Sequence, residues 1–169
     1  VSGYGTGGTF SGVSRVLRDQ SPKTKLVITE PENAQLVNSL IAQKRNQDGS
    51  PASAHDSWNP HPIQGWTPDF IPLVLQESID NNYFDINIPV TGEDGIYWSH
   101  QLATNEGIIT GISGGSTFAV AMKIADEAPD GSNILCMLAD TAERYLTSAL
   151  FEKIDSEMND EEKKILSSI

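Results

Sequence analysis

Apolar and polar positions along this chain alternate with two periods. Between Ser11 and Arg18 the apolar residues Val13, Val16 and Leu17 fall at helical spacing, and Leu26 to Thr29 is a short β-rich run that closes on Glu30-Pro31. Asn33 to Ala42 carries the next helical pattern. Phe84 to Ile88 alternates as a strand does. Thr91 followed by Asp94 has the form of a capping box opening a helix from Glu93 to about Asn105, with Gly107 placed to stop it. Ile108-Ile109-Thr110 leads into the glycine/serine turn Gly111 to Ser116, after which helical sequence runs from Thr117 to about Glu127. Within Asn133 to Leu138 the residues Ile134-Leu135-Cys136-Met137-Leu138 are the continuous apolar run of a parallel strand buried on both faces. The predicted fold is α/β, an open and mostly parallel sheet with helices on both faces. Ligands of such sheets sit at the carboxyl ends of the strands, and both glycine-rich turns, Gly5 to Gly8 and Gly111 to Gly115, follow strand candidates directly.

Two stretches break the pattern. From Lys44 to Trp66 the composition turns to Asn, Asp, Gly, Ser, Pro and His, and Pro51, Pro60 and Pro62 exclude regular structure, so residues 44–66 form a long loop of the kind that serves as a lid or interface. Trp58 and Trp66 flank its proline-rich part and pin it to the body or to a partner subunit. Residues 152–169 hold Asp155, Glu157, Asp160, Glu161 and Glu162, an acidic helix or tail facing solvent.

Charge narrows the function classes. With 11 basic against 23 acidic residues in 169, the net charge of −12 argues against nucleic acid as a partner. No apolar run approaches the ~18 residues of a membrane span, and there is no basic-apolar leader. The single cysteine, Cys136, suits a reducing compartment and reads as a packed core residue, which gives a cytoplasmic expectation. His55, His61 and His100 lack metal-ligand spacing, so no metal is expected and they read as surface or loop-stabilising residues.

The chemistry begins at Gly5-Thr6-Gly7-Gly8-Thr9, a glycine-rich turn at a predicted helix start, where converging backbone N–H groups make an anion site. Only four residues precede it, so the expectation is the latter portion of a larger protein. Gly3-Tyr4-Gly5-Thr6-Gly7-Gly8 also satisfies G-x-G-x-x-G, and Glu30 stands where a dinucleotide fold places its ribose-binding acid. Thr6 and Thr9 favour the other reading, since added hydroxyls suit a terminal phosphate monoester better than a pyrophosphate. A P-loop is excluded because no Lys-Ser/Thr follows the glycines.

Four motifs then occur in order. They are GTGGTFSGVSRVLR from Gly5, His61-Pro62-Ile63-Gln64-Gly65 with Phe70-Ile71-Pro72, EGIITGISGGSTFAVA from Glu106 to Ala121, and ERYLTSALF from Glu143 to Phe151. Together they resemble the C-terminal half of cysteine synthase (O-acetylserine sulfhydrylase), in the fold type II group of pyridoxal-phosphate (PLP) enzymes that also includes cystathionine β-synthase. The likeness runs from residue 1 to about 151 and implies the C-terminal part of a β-replacement catalytic domain over that range, in its large-domain portion.

The resemblance implies that Gly5, Thr6, Gly7, Gly8 and Thr9 cradle the cofactor phosphate. Ser113 matches the serine that hydrogen-bonds the pyridine nitrogen, although taken alone it reads as an ordinary helix N-cap. Gly65 matches a glycine on the substrate side. The implied reaction is replacement of the acetyl group of O-acetylserine, or of a related activated serine, by sulfide to give cysteine. A homodimer, and serine acetyltransferase as a partner, are further implications. Three rivals remain: cystathionine β-synthase chemistry, a dinucleotide-binding oxidoreductase domain, and a catalytically silent fragment of the family acting as a binding or regulatory module. The chain departs from its relatives at Ala139-Asp140-Thr141-Ala142, where Asp140 either approaches the ring nitrogen or caps the following helix. The family's Schiff-base lysine belongs to the N-terminal half, and none of Lys23, Lys25, Lys44, Lys123, Lys153, Lys163 and Lys164 matches its motif. The segment alone is therefore expected to be inactive and to need that half.

Overall fold

A computed structural model describes residues 1–155 and 157–168. Three parallel strands, β1 (Ser2–Gly3), β2 (Val27–Pro31) and β3 (Ile86–Val90), lie in the order β1-β2-β3. Ser2 pairs with Ile28 and Val27 with Ile86. Helices α1 (Gly8–Gln20) and α2 (Leu73–Asp80) pack with Leu26 and Ile28 around Phe10 and Leu75. Val27 and Val90 instead join Ile112, Ala119 and Val120 of α4 (Ile112–Glu127), beside α3 (Gly92–Gln101). The period-2 alternation along β2 thus divides the core between helices on both faces of the sheet, as the pattern predicts.

Local signals hold where they are local. Thr91 caps α3 by accepting the Asp94 N–H at 2.9 Å, and after a single π-helical turn, Leu102–Glu106, Gly107 ends the run at φ 68°. β3 lies two residues later than its predicted start, and its Pro89 is tolerated because β3 is an edge strand. The predicted glycine/serine turn is the first turn of α4 itself, which begins at Ile112 rather than Thr117. Glycine there serves packing: a methyl on Gly115 would overlap the carbonyl of Gly95 and the Ser99 hydroxyl on α3.

Elsewhere the structure departs from the sequence pattern for reasons outside the local sequence. Asn33 to Ala42 forms turns and not a helix, because the Glu30 carboxylate captures the N–H groups of Val37 and Asn38, at 2.8 and 3.0 Å, and Leu40 takes φ 59°. The irregular stretch therefore reaches from Glu32 to Pro72, beyond the predicted 44–66. In α1 the helical apolar positions Val13 and Val16 are exposed, while Ser11 and Ser14 are buried against α2, where the Ser11 hydroxyl bonds Val74 O and Ser78 Oγ. The apolar run at 134–138 is extended along β1, with Met137 N–H donating to Val1 O at 3.2 Å, but it is not enclosed: Leu135 is 73% exposed and Cys136 only half-buried.

The long loop is pinned to the body of the chain. Trp58 packs on the α1/α2 core and donates its indole N–H to Thr67 O at 3.1 Å, and Trp66 joins the opposite core. His55 bonds Ile41 O and Ser57 N, His61 bonds Thr67 O, and His100 bonds Leu150 O, so each histidine ties backbone together. In the acidic tail, α5 (Asp160–Ser167) carries a full capping box from Asn159 and buries no residue.

Candidate cofactor site

One cavity of about 320 Å³ opens at the carboxyl end of the sheet. It brings together the residues that the resemblance matches to the cofactor and the substrate side: Gly5, Thr6, Gly7, Gly8, Thr9, Gly65 and Ser113 all line it.

At one end stands the N-terminus of α1. Its N-cap is Gly7, at φ 85°, a left-handed conformation that glycine adopts without steric cost, and no side chain caps the helix. The first-turn N–H groups have no helical acceptor and carry the positive end of the helix dipole. Thr6 and Thr9, both exposed, add hydroxyls beside them, and no Lys, Arg or His lines the cavity. Gly5 is held tightly, since a methyl there would overlap the Gly65 carbonyl oxygen, and Gly65 turns at φ 83°.

At the other end stands the N-terminus of α4. Its N-cap is again a glycine, Gly111, with no side-chain cap, so Ser113 is not the capping residue that its isolated sequence context suggests. Ser113 lies in the first turn, buried, and its hydroxyl makes no hydrogen bond among the described residues, while its carbonyl accepts from Thr117. Asp140 does not cap the following 3-10 turn, Ala142–Tyr145, whose N-cap is Thr141. Its carboxylate accepts the Tyr145 O–H instead, and its other oxygen, Oδ1, is buried beside Gly111 without a partner. The hydrogen bond to Asp140, reinforced by burial, pushes the Tyr145 phenol up to about 12.

These features fit a small phosphorylated ring compound. The cradle at α1 offers many neutral donors for a phosphate, and the free Ser113 hydroxyl offers a single hydrogen-bonding atom at the far end. Glu30 does not fit a dinucleotide. It is fully buried and outside the cavity, and its oxygens accept four hydrogen bonds, from Tyr4 Oη, Val37 N, Asn38 N and Asn87 Nδ2, so none is left for a ribose.

Comparison with known proteins agrees with this geometry. Residues 1–140 match the family described as pyridoxal-phosphate dependent enzyme. The chain belongs to this family. Among relatives, O-ureido-L-serine synthase of Streptomyces lavendulae is 39% identical over 160 residues, 95% of this chain and 43% of that protein. Cysteine synthase A of Escherichia coli (strain K12) is 35% identical over 160 residues, 93% of this chain and 45% of that protein. The crystal structure of cysteine synthase from Entamoeba histolytica superposes with a TM-score of 0.73 at 28% identity, covering 99% of this chain and 43% of that one. The chain thus spans under half the length of these relatives. As a member of this family the chain has the α/β fold of a pyridoxal-phosphate dependent enzyme, and it is similar to these cysteine synthases over the part it spans.

Sequence reasoning left several wall residues unassigned, three aromatic side chains among them. Tyr4 and Trp66 enter the cavity lining beside the residues the motifs marked, and Tyr145 arrives from the far end of the chain. The signal for Tyr145 was present in the ERY motif. Tyr4 had none beyond its place before Gly5.

Proposed function

We propose that this chain supplies the phosphate and ring-nitrogen sites of a PLP-dependent enzyme that replaces the β-substituent of O-acetylserine, or a related activated serine, with sulfide to give cysteine. The observation that carries the reading is the convergence of two uncapped helix N-termini on one cavity, with Thr6 and Thr9 at one and Ser113 at the other.

The first-turn N–H groups of α1 and the hydroxyls of Thr6 and Thr9 hold the phosphate, its charge balanced by the helix dipole and not by a cationic side chain. Ser113 presents a neutral hydroxyl to the ring nitrogen and leaves that nitrogen largely unprotonated, which moderates electron withdrawal and favours loss of the β-substituent over deeper carbanion chemistry. PLP, when bound, supplies the electron sink that acidifies the α-carbon of the amino acid. Gly65 keeps the substrate side of the cavity free of a side chain. All seven lysines are exposed and none lines the cavity, so the Schiff-base lysine, which also moves the α-proton, comes from outside these residues.

The relatives' names support an activated serine as the amino-acid substrate, with O-ureido-L-serine synthase and cysteine synthases among them. An O-acetylserine dependent cystathionine beta-synthase of Helicobacter pylori, 30% identical with a TM-score of 0.68, favours a second reading with a thiol amino acid as nucleophile. The proposed setting is a cytoplasmic homodimer with serine acetyltransferase as a partner. No described helix is long and apolar enough to cross a membrane.

Product analysis decides between nucleophiles. The whole enzyme, with the half that carries the Schiff-base lysine, is given O-acetylserine with sulfide, and separately with homocysteine. Cysteine from the first mixture alone is the expected result. Cystathionine from the second as the main product selects the second reading, and absence of acetate release from either overturns the proposal.

A further inference from the structure

Glu30 is a buried carboxylate with no cationic partner among the described residues. Burying a carboxylate is costly unless its lone pairs are satisfied, and here four neutral donors satisfy them. Three belong to the turn after β2 and to β3: Val37 N at 2.8 Å, Asn38 N at 3.0 Å and Asn87 Nδ2 at 2.7 Å. The fourth is the phenol of Tyr4, at 2.6 Å.

Tyr4 is the residue that joins β1 to the glycine-rich loop, and it is 2% exposed. Its hydroxyl is held by Glu30, while its carbonyl accepts the Thr67 N–H at 2.8 Å. Thr67 is a β-branched residue at φ 35°, an uncommon conformation that persists only where its surroundings impose it. The imposing contacts are visible: the Thr67 carbonyl accepts from both Trp58 Nε1 and His61 Nε2, each at 3.1 Å. One step along, the Gly65 carbonyl rests against Gly5. Tyr4 is therefore the junction of three pieces: the end of β2, the corner 65–67, and the loop Gly5 to Thr9.

We propose that Glu30 and Tyr4 are positioning residues, whose hydrogen bond fixes the strand-to-loop junction and so holds the N–H groups at the start of α1 and the Gly65 corner in register for the cofactor phosphate. The proposal rests on the reading of Gly5 to Thr9 as a phosphate cradle. Glu30 does not line the cavity, so it acts through Tyr4 and the loop and not by touching the ligand, while Tyr4, which does line it, has its hydroxyl turned to Glu30.

The test uses the purified apoprotein and two probes, PLP and pyridoxal, which lacks the phosphate. Tyr4→Phe keeps the ring in the core and the Thr67 contact to its carbonyl, and removes only the hydroxyl. The expected result is a PLP dissociation constant raised about tenfold, the scale of one hydrogen bond to a charged group, with that for pyridoxal within about twofold of wild type. Glu30→Gln should move the two constants in the same way, and Tyr4→Phe stands alone if that variant does not fold. A purely structural role would lower the melting temperature and leave the ratio of the two constants unchanged, and that outcome overturns the proposal. Thr9→Val separates the two levels. If wild type prefers PLP and Thr9→Val loses the preference while Tyr4→Phe keeps it, only the positioning proposal fails. A wild type that binds both probes equally overturns the cradle reading as well.

Discussion

Four of the helices, α1, α3, α4 and α5, begin in two contrasting ways. At α3 and α5 a side chain closes the N-terminus: Thr91 accepts from Asp94 N, and Asn159 accepts from the N–H groups of Glu161 and Glu162. At α1 and α4, which face the cavity, the N-caps are Gly7 and Gly111, which have no side chain to close the helix, and the only side-chain contact to a first-turn N–H among the described residues is a long one, Gly8 N–H to Thr6 Oγ1 at 3.4 Å. A capped helix start satisfies its own donors and strengthens the fold. A bare one leaves them for a ligand, and stability forgone at the helix end becomes binding. Among these four helices the difference separates starts that serve the fold from starts at the proposed cofactor site; α2, whose N-cap Pro72 also makes no side-chain cap, begins outside the cavity.

The contrast is broken most severely at Gly7. Gly7→Ala forces a methyl into a left-handed backbone and to within 2.7 Å of Leu75 Cβ. It should cost about 3 kcal/mol in chemical unfolding, from strain and overpacking together, and weaken PLP binding as well. Next comes Thr9→Val, which removes one phosphate donor. It should weaken PLP binding by about 1–3 kcal/mol in a titration and leave unfolding unchanged. Unaltered affinity would count against the cradle. Thr91→Ala is the converse experiment: about 1 kcal/mol of stability lost with the cap, and no change in PLP affinity. If that variant lost cofactor as readily as Thr9→Val, the division between the two kinds of helix start would collapse.

The smallest effect is one of pH. Tyr145, raised by its bond to Asp140, holds its proton to about pH 12 in the fold, against an ordinary value of 10.0. As pH rises past 10 the unfolded chain releases this proton first, so the contribution of Tyr145 is fully present below pH 10 and is lost as pH climbs through about 12. Urea unfolding between pH 9 and 12 should show a decline in stability that is shallower in Tyr145→Phe, and an identical slope in both would deny the pairing a role in the folded state.

What could be read from the sequence was whatever depends on near neighbours. The glycine loop, the Thr91 cap and the Gly107 stop are written within a few residues, and all three stand in the structure. Residues 33–42 were misread because the helix there loses to a carboxylate outside it; the helix at Val13 and Val16 forms as its spacing predicts, but it meets α2 through serine hydroxyls, a face the apolar spacing does not mark. The run 134–138 was misread because hydrophobicity reports what a strand tolerates, not what lies over it. In the site, the residues that would touch the ligand were legible from their motifs. Tyr4 and Glu30 were not paired, since they lie 26 residues apart and meet only when β1 and β2 align.

Helices α3 and α4 meet at Gly95 and Gly115 so closely that a methyl on either would strike its neighbour. No layer of pliable side chains lies between the two backbones at that point, and an interior so packed passes displacement on instead of absorbing it. Ser113 stands two residues before Gly115 on the same helix. A displacement of α3 at this crossing is therefore passed to α4, the helix whose first turn carries Ser113 into the cavity wall.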